Sequence, residues 1–171
     1  KEWSRSYVKG LDLLGMKIEE RTQPWEGASG VFHPLLSEAI VRFQAQAMGE
    51  IFPASGPVRT KIVGKQTKEK NEQSKRVEHE MNYMLTEEMT EYRDETEQML
   101  FKLPLAGSAF KKVYYDPLLE RPCAMFVPAE DFVVSYGATD LMSCIRYTHV
   151  MKKTANEIAK LMVNGFYKDL D

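Results

Sequence analysis

Asp116, Glu130, Asp131 and Asp140 are the side chains best placed to do chemistry. All four fall at predicted strand ends or turns, where carboxylates could gather two metal ions and activate water against a phosphodiester. Aspartate is also favoured in turns, as at Asp116-Pro117, because its carboxylate hydrogen-bonds nearby backbone. That plainer use is preferred. His33, His79 and His149 form neither an HExxH sequence nor a pair four residues apart, so a zinc site lacks its ligands. The glycine pattern and hydroxyl of a phosphate loop are missing around Gly64-Lys65, and no GxSxG elbow occurs. Cys123 and Cys144 lie in separate predicted strands without CxxC spacing and read as reduced core thiols. No catalytic residue, metal or cofactor is expected.

Charge gives a clearer pattern. Residues 59–76 hold seven cations (Arg59, Lys61, Lys65, Lys68, Lys70, Lys75, Arg76) against Glu69 and Glu72, a balance of +5. Residues 78–97 hold eight anions against Arg93, a balance of −7, so the total of −2 conceals two opposed blocks. On a single helix this order runs against the dipole, by roughly a few tenths of a kcal/mol per charge. A solvated charged face would suffice to explain it. The sharper reading places the basic block of one subunit against the acidic block of the next in a head-to-tail ring. Lys68, Lys70 and Arg76 would then meet Glu87, Glu88 and Glu91. The sequence pI of about 6.0 argues against a general nucleic-acid binder.

These residues need elements to carry them. Tyr7, Leu11, Leu14 and Ile18 predict an amphipathic helix over residues 1–21, interrupted by two glycines. A loop follows over 22–30, with Pro24, Gly27 and Gly30, and Trp25 is expected to anchor it. Leu36, Ile40, Phe43, Ala47 and Ile51 recur at helical spacing, with Pro34 suited to the first turn and Pro53 ending the run. VRTKIV at 58–63 alternates like a half-buried strand. Residues 65–103 predict one long helix, or two broken near 90–94, ending before Pro104. Along it, Met81, Met84 and Met89 are either core filler or an adaptable docking face.

Beyond residue 108 the period shortens to two. Strands are predicted at 109–115, 123–127, 132–135 and 145–151, most simply as one antiparallel meander, with an exposed loop at 136–140. Thr154 and Glu157 fit a capping box ahead of Ile158, Leu161 and Met162, and Gly165 suits the C-terminal cap. No apolar run approaches the ~20 residues of a membrane span, nor is there a signal-peptide core, so a cytoplasmic setting is expected. Starting at Lys1 and stopping in amphipathic sequence, the chain reads as a fragment of a longer protein.

Four phrases occur in order: LPLAGSAFKKVYYDP at 103–117, VPAEDFVVSYGATDL at 127–141, CIRYTHVMK at 144–152 and GFYKDL at 165–170. This wording resembles the portal proteins of short-tailed, podovirus-like bacteriophages, over roughly residues 33–170. The resemblance implies an α+β wing domain at 33–171 after a weakly assigned helix and loop at 1–32, with long helices packed on an antiparallel sheet or meander. It also implies a homo-oligomer, a dodecameric ring at the capsid's portal vertex, assembled in the host cytoplasm. Terminase large subunit, capsid and tail adaptor proteins would be its partners. Double-stranded DNA would pass without sequence specificity during packaging and ejection, and no membrane is involved. The expected function is therefore structural, not enzymatic. The rival readings are a helical protein-binding adaptor presenting Met81, Met84 and Met89, and a metal-dependent nuclease using Asp116, Asp131 and Asp140.

Overall fold

The computed structural model describes residues 2–15, 25–28 and 33–168. The fold is α+β, about 51% helix and 13% strand. The chain divides into two compact units, Lys1–Ala129 and Glu130–Asp171.

In the first unit, helix α4 (Tyr92–Ala106) is the hub, touching α1 (Glu2–Leu14), α2 (Leu35–Ile51) and strand β2 (Arg121–Val127). Its buried side chains Thr96, Leu100 and Ala106 meet a core that includes Tyr7, Ile40, Cys123, Ala124 and Val127. Trp3 stacks on Tyr7 at 5.2 Å between ring centroids, and its Nε1 donates to the Ala106 carbonyl at 2.8 Å. The stack lies within α1, and the bond to Ala106 ties that helix to the end of α4. Of the predicted continuation, Ile18, Pro24 and Gly30 lie outside the described residues. Trp25, expected to anchor the loop, is 68% exposed.

On α2, Leu36, Ile40 and Ala47 turn inward as the spacing predicts, but Phe43 is 41% exposed. It lies three residues from Ile40, which places it about 60° around the helix. Pro34 stands at the N-cap, one position before the helix, and its carbonyl accepts from Glu38 N at 3.0 Å.

The predicted long helix is two. Helix α3 (Lys68–Tyr83) runs into a π turn (Met84–Glu88), closed by Met89 N donating to the Met84 carbonyl at 2.8 Å. Met89 is buried, and α4 starts three residues later. Because of this break, Asp94 and Glu95 sit in the first turn of α4, where negative charge is favoured by the dipole. The unfavourable order inferred for a single helix therefore persists for Lys68 and Lys70 at the start of α3 and for Glu80, Glu87 and Glu88 at the end of its helical run, but not for Asp94 and Glu95. Helix α4 also continues through Pro104 instead of stopping before it. A proline this near the end forfeits one backbone bond, and Gly107, at φ +74°, closes the helix by donating to the Leu103 carbonyl at 2.9 Å.

Strand β1 (Phe110–Asp116) pairs antiparallel with β2, from Phe110 opposite Val127 to Asp116 opposite Arg121. The VRTKIV segment, predicted as a strand, is extended but joins no sheet. Its hydrogen bonds go to side chains of α3. Val58 N donates to Asn82 Oδ1 at 2.9 Å, while Asn82 Nδ2 donates to the Val58 carbonyl at 3.1 Å. Thr60 N and its hydroxyl both donate to Glu78 Oε2, at 3.1 and 2.9 Å, and that hydroxyl lies 2.6 Å from Ser74 Oγ. Four helical residues advance ~6.0 Å and two extended residues ~6.6 Å, so Asn82 and Glu78 match Val58 and Thr60 in step.

The second unit carries β3 (Phe132–Val134) and β4 (Tyr147–His149), paired antiparallel with Phe132 opposite His149. The strands thus form two separate two-stranded ladders, not one meander. β4 is shorter than predicted: Ile145 is 98% exposed, and Cys144 lies outside any strand. Helix α5 (Ala155–Val163) has the predicted capping box, with Thr154 N donating to Glu157 Oε2 at 2.7 Å and Glu157 N to Thr154 Oγ1 at 3.3 Å. Gly165, at φ +71°, donates to the Met162 carbonyl and Phe166 N to the Leu161 carbonyl, both at 2.9 Å. That is a Schellman ending.

Candidate subunit interface on α3 and α4

Helix α3 buries no residue. Its inner face is the polar row Ser74, Glu78 and Asn82, so hydrogen bonds and not apolar packing hold it to the segment before it. The Glu78 carboxyl is held below its ordinary value, first by the Thr60 amide and then by the Thr60 hydroxyl. Thr67 caps the helix, its Oγ1 accepting from Lys70 N at 3.3 Å. Outside this row, Lys68, Lys70, Lys75 and Arg76 are all exposed, together with Val77 at 44% and Met81 at 43%.

The acidic block is not uniform. Glu87 and Glu88 are exposed on the π turn. Glu91 instead belongs to the fold: its carboxylate pairs with the Arg121 guanidinium at 2.9 Å and accepts from Ala124 N at 3.3 Å. Glu95 takes the next free amide of β2, from Phe126 N at 2.5 Å. Two carboxylates one helical turn apart thereby replace a neighbouring strand along the β2 edge, the same matching of ~6.0 Å to ~6.6 Å used by α3. Burial pushes the Glu91 carboxyl up, but its own amide, Arg121 and Ala124 outweigh that and leave it below its ordinary value. Unlike Glu87 and Glu88, Glu91 thus has its charge engaged within the chain.

Lys111 was not singled out by sequence reasoning. Its Nζ donates to the buried Thr96 hydroxyl and lies 4.1 Å from the Tyr92 ring centroid. Burial lowers its pKa, and Glu95 opposes that shift. The Thr96 hydroxyl passes its own hydrogen to the Tyr92 carbonyl at 2.6 Å. A lone lysine in an alternating strand carries no sequence signal for such a site.

Two depressions flank these charges. One, of about 440 Å³, lies between α2, α4 and β2 and is lined by Gln44, Asp94, Glu97, Phe101, Lys102 and Phe126 among others. Gln44 Nε2 donates to Glu97 at both its carbonyl (3.2 Å) and carboxylate (3.4 Å). The other, of about 520 Å³, lies at the start of α3 and includes Thr67, Lys68, Glu72 and Lys75.

The remaining candidates are dispersed. Met81 is exposed, Met84 half-buried and Met89 buried, so the three methionines do not form one docking face. Asp116 accepts from Leu118 N at 2.8 Å in the hairpin turn, and Asp140 accepts from Ser143 N at 2.7 Å and its hydroxyl at 2.8 Å. The Asp131 carbonyl receives Val150 N at 2.8 Å. Among the described residues, no three His, Cys, Asp or Glu side chains are grouped to hold a metal ion. Cys123 is buried, and burial pushes its thiol up; Cys144 is half-buried, not core. In comparisons with known proteins, the chain matches no family model and no curated protein.

Proposed function

We propose that this chain is a structural piece of a bacteriophage portal ring, the channel through which double-stranded DNA enters and leaves the capsid. The observation that carries the reading is the ordered set of portal-like phrases between residues 103 and 170. Two features support it. The α+β class is that of a portal wing, and α3 offers an exposed basic surface while its own chain supplies exposed acidic groups at Glu87 and Glu88. Copies meet head to tail, since opposed patches on one protomer produce heterologous contacts that close when the rotation fits. Function then follows from assembly, with terminase, capsid and tail adaptor proteins as partners at the portal vertex. DNA passes through the ring without sequence readout.

Electron microscopy of the protein tests this directly. Closed annuli with a central hole are the expected result. A protein that remains monomeric at every concentration would overturn the reading.

A further inference from the structure

The groove between α2, α4 and β2 and one flank of α3 are complementary in chemistry. The groove has an apolar floor in Phe101 and Phe126 and two exposed anions, Asp94 and Glu97, on its rim. Lys102 also lines it, eight residues or ~12 Å along α4 from Asp94, and its Nζ lies 3.4 Å from the Tyr7 hydroxyl. On α3, Lys70, Val77 and Met81 are spaced by seven and eleven residues and so share one helical flank. Val77 and Met81 leave more than two-fifths of their surface in solvent there. The inner face of α3 is already occupied by residues 58–60, and this flank, which carries its exposed apolar side chains Val77 and Met81, is open to a partner.

We propose that the groove seats α3 of a second copy of this chain. Val77 and Met81 would cover Phe101 and Phe126, and Lys70, in the first turn of the helix on the same flank, would meet Asp94 and Glu97. A helix laid in an apolar groove is a standard recognition mode, and charge complementarity fixes its direction. Because groove and helix are separate patches, each copy gives one and receives one, and the contact propagates. This rests on the ring reading and deepens it by naming its seat on the acidic side, which is the α4 groove.

The test uses the full chain, a groove double variant, Asp94→Lys/Glu97→Lys, and a helix variant, Lys70→Glu on the flank of Val77 and Met81, with mass measured by sedimentation across a concentration series. Circular dichroism matching the native protein certifies each variant as folded. The native chain assembles, each variant alone assembles at least tenfold more weakly, and an equimolar mixture of the two regains the native mass, since each reversed patch then finds its complement. Should the groove variant fail to fold, Val77→Cys on α3 with Gln98→Cys, a further residue of the groove lining, in a Cys144→Ser background replaces it. A ladder of disulfide-linked species beyond the dimer supports the seat, and the absence of cross-links in an assembled sample overturns it. A folded groove variant that assembles as well as the native chain overturns the seat but leaves the ring standing. A native chain that is monomeric throughout removes the seat and the ring contact together.

Discussion

Substituting Gly56→Ala isolates the side-chain clamp that fixes α3. Gly56 closes the turn after α2, with its amide donating to the Pro53 carbonyl at 2.9 Å and φ at +94°. An alanine there incurs about 1–2 kcal/mol for the left-handed backbone. Its Cβ would also stand 2.5 Å from Asn82 Oδ1 and 2.7 Å from Asn82 Cγ, so the amide must leave Val58 and both bonds are lost, at about 0.5–1.5 kcal/mol each. Against this, alanine narrows the unfolded ensemble by about 0.4–1 kcal/mol. The net loss is about 2–4 kcal/mol. With a urea dependence of about 1–3 kcal/mol/M, the unfolding midpoint followed by circular dichroism should fall by roughly 1 M or more. Amide exchange at Val58 and Thr60 should accelerate. Asn82→Ala removes both the obstruction and the bonds, so the double variant should cost less than the sum of the singles by roughly the worth of those bonds, about 1–3 kcal/mol. Strict additivity, or an unchanged midpoint for Gly56→Ala, would refute the clamp.

Glu91→Gln should destabilise the first unit by about 1–3 kcal/mol at neutral pH, because Arg121 loses its charged partner. The Glu91 carboxyl is depressed in the fold, so its contribution is present above the ordinary value of 4.5 and is lost as pH falls through the lower native value. Acid titrations of stability should therefore be steeper below that pH for the native chain than for the variant. An exposed-thiol reagent should react quickly with half-buried Cys144 and slowly with buried Cys123, and Cys144→Ser should abolish the fast phase. Thr154→Ala should cost about 1 kcal/mol locally, read as roughly fivefold faster exchange of the Glu157 amide, with the first unit unaffected.

Elements with their own local code were legible. The helix at 35–51 shows its period, and α5 carries both its capping box and its glycine stop within twelve residues. Where the code depends on distant partners, the sequence misled. VRTKIV alternates because Val58 and Thr60 face hydrogen-bonding groups, but those groups belong to Asn82 and Glu78 on a helix and not to a strand. Alternation likewise announced the strands at 109–115 and 123–127 and their antiparallel pairing, but the single meander expected of all four strands splits into two ladders. Glu91 and Glu88 are alike in a charge count. Only the fold sends one under β2 and leaves the other in solvent.

The π turn at Met84–Glu88 holds one residue more than an α-helix would in the same span. Removing a single codon there would leave Met89 rooted in the core while α3 rotated by ~100° about its axis. Ser74, Glu78 and Asn82 would swing off their backbone targets, and the lysine-bearing side would aim elsewhere. The orientation of this helix is thus stored as a residue count, and insertions or deletions within these five positions should be far less tolerated than substitutions.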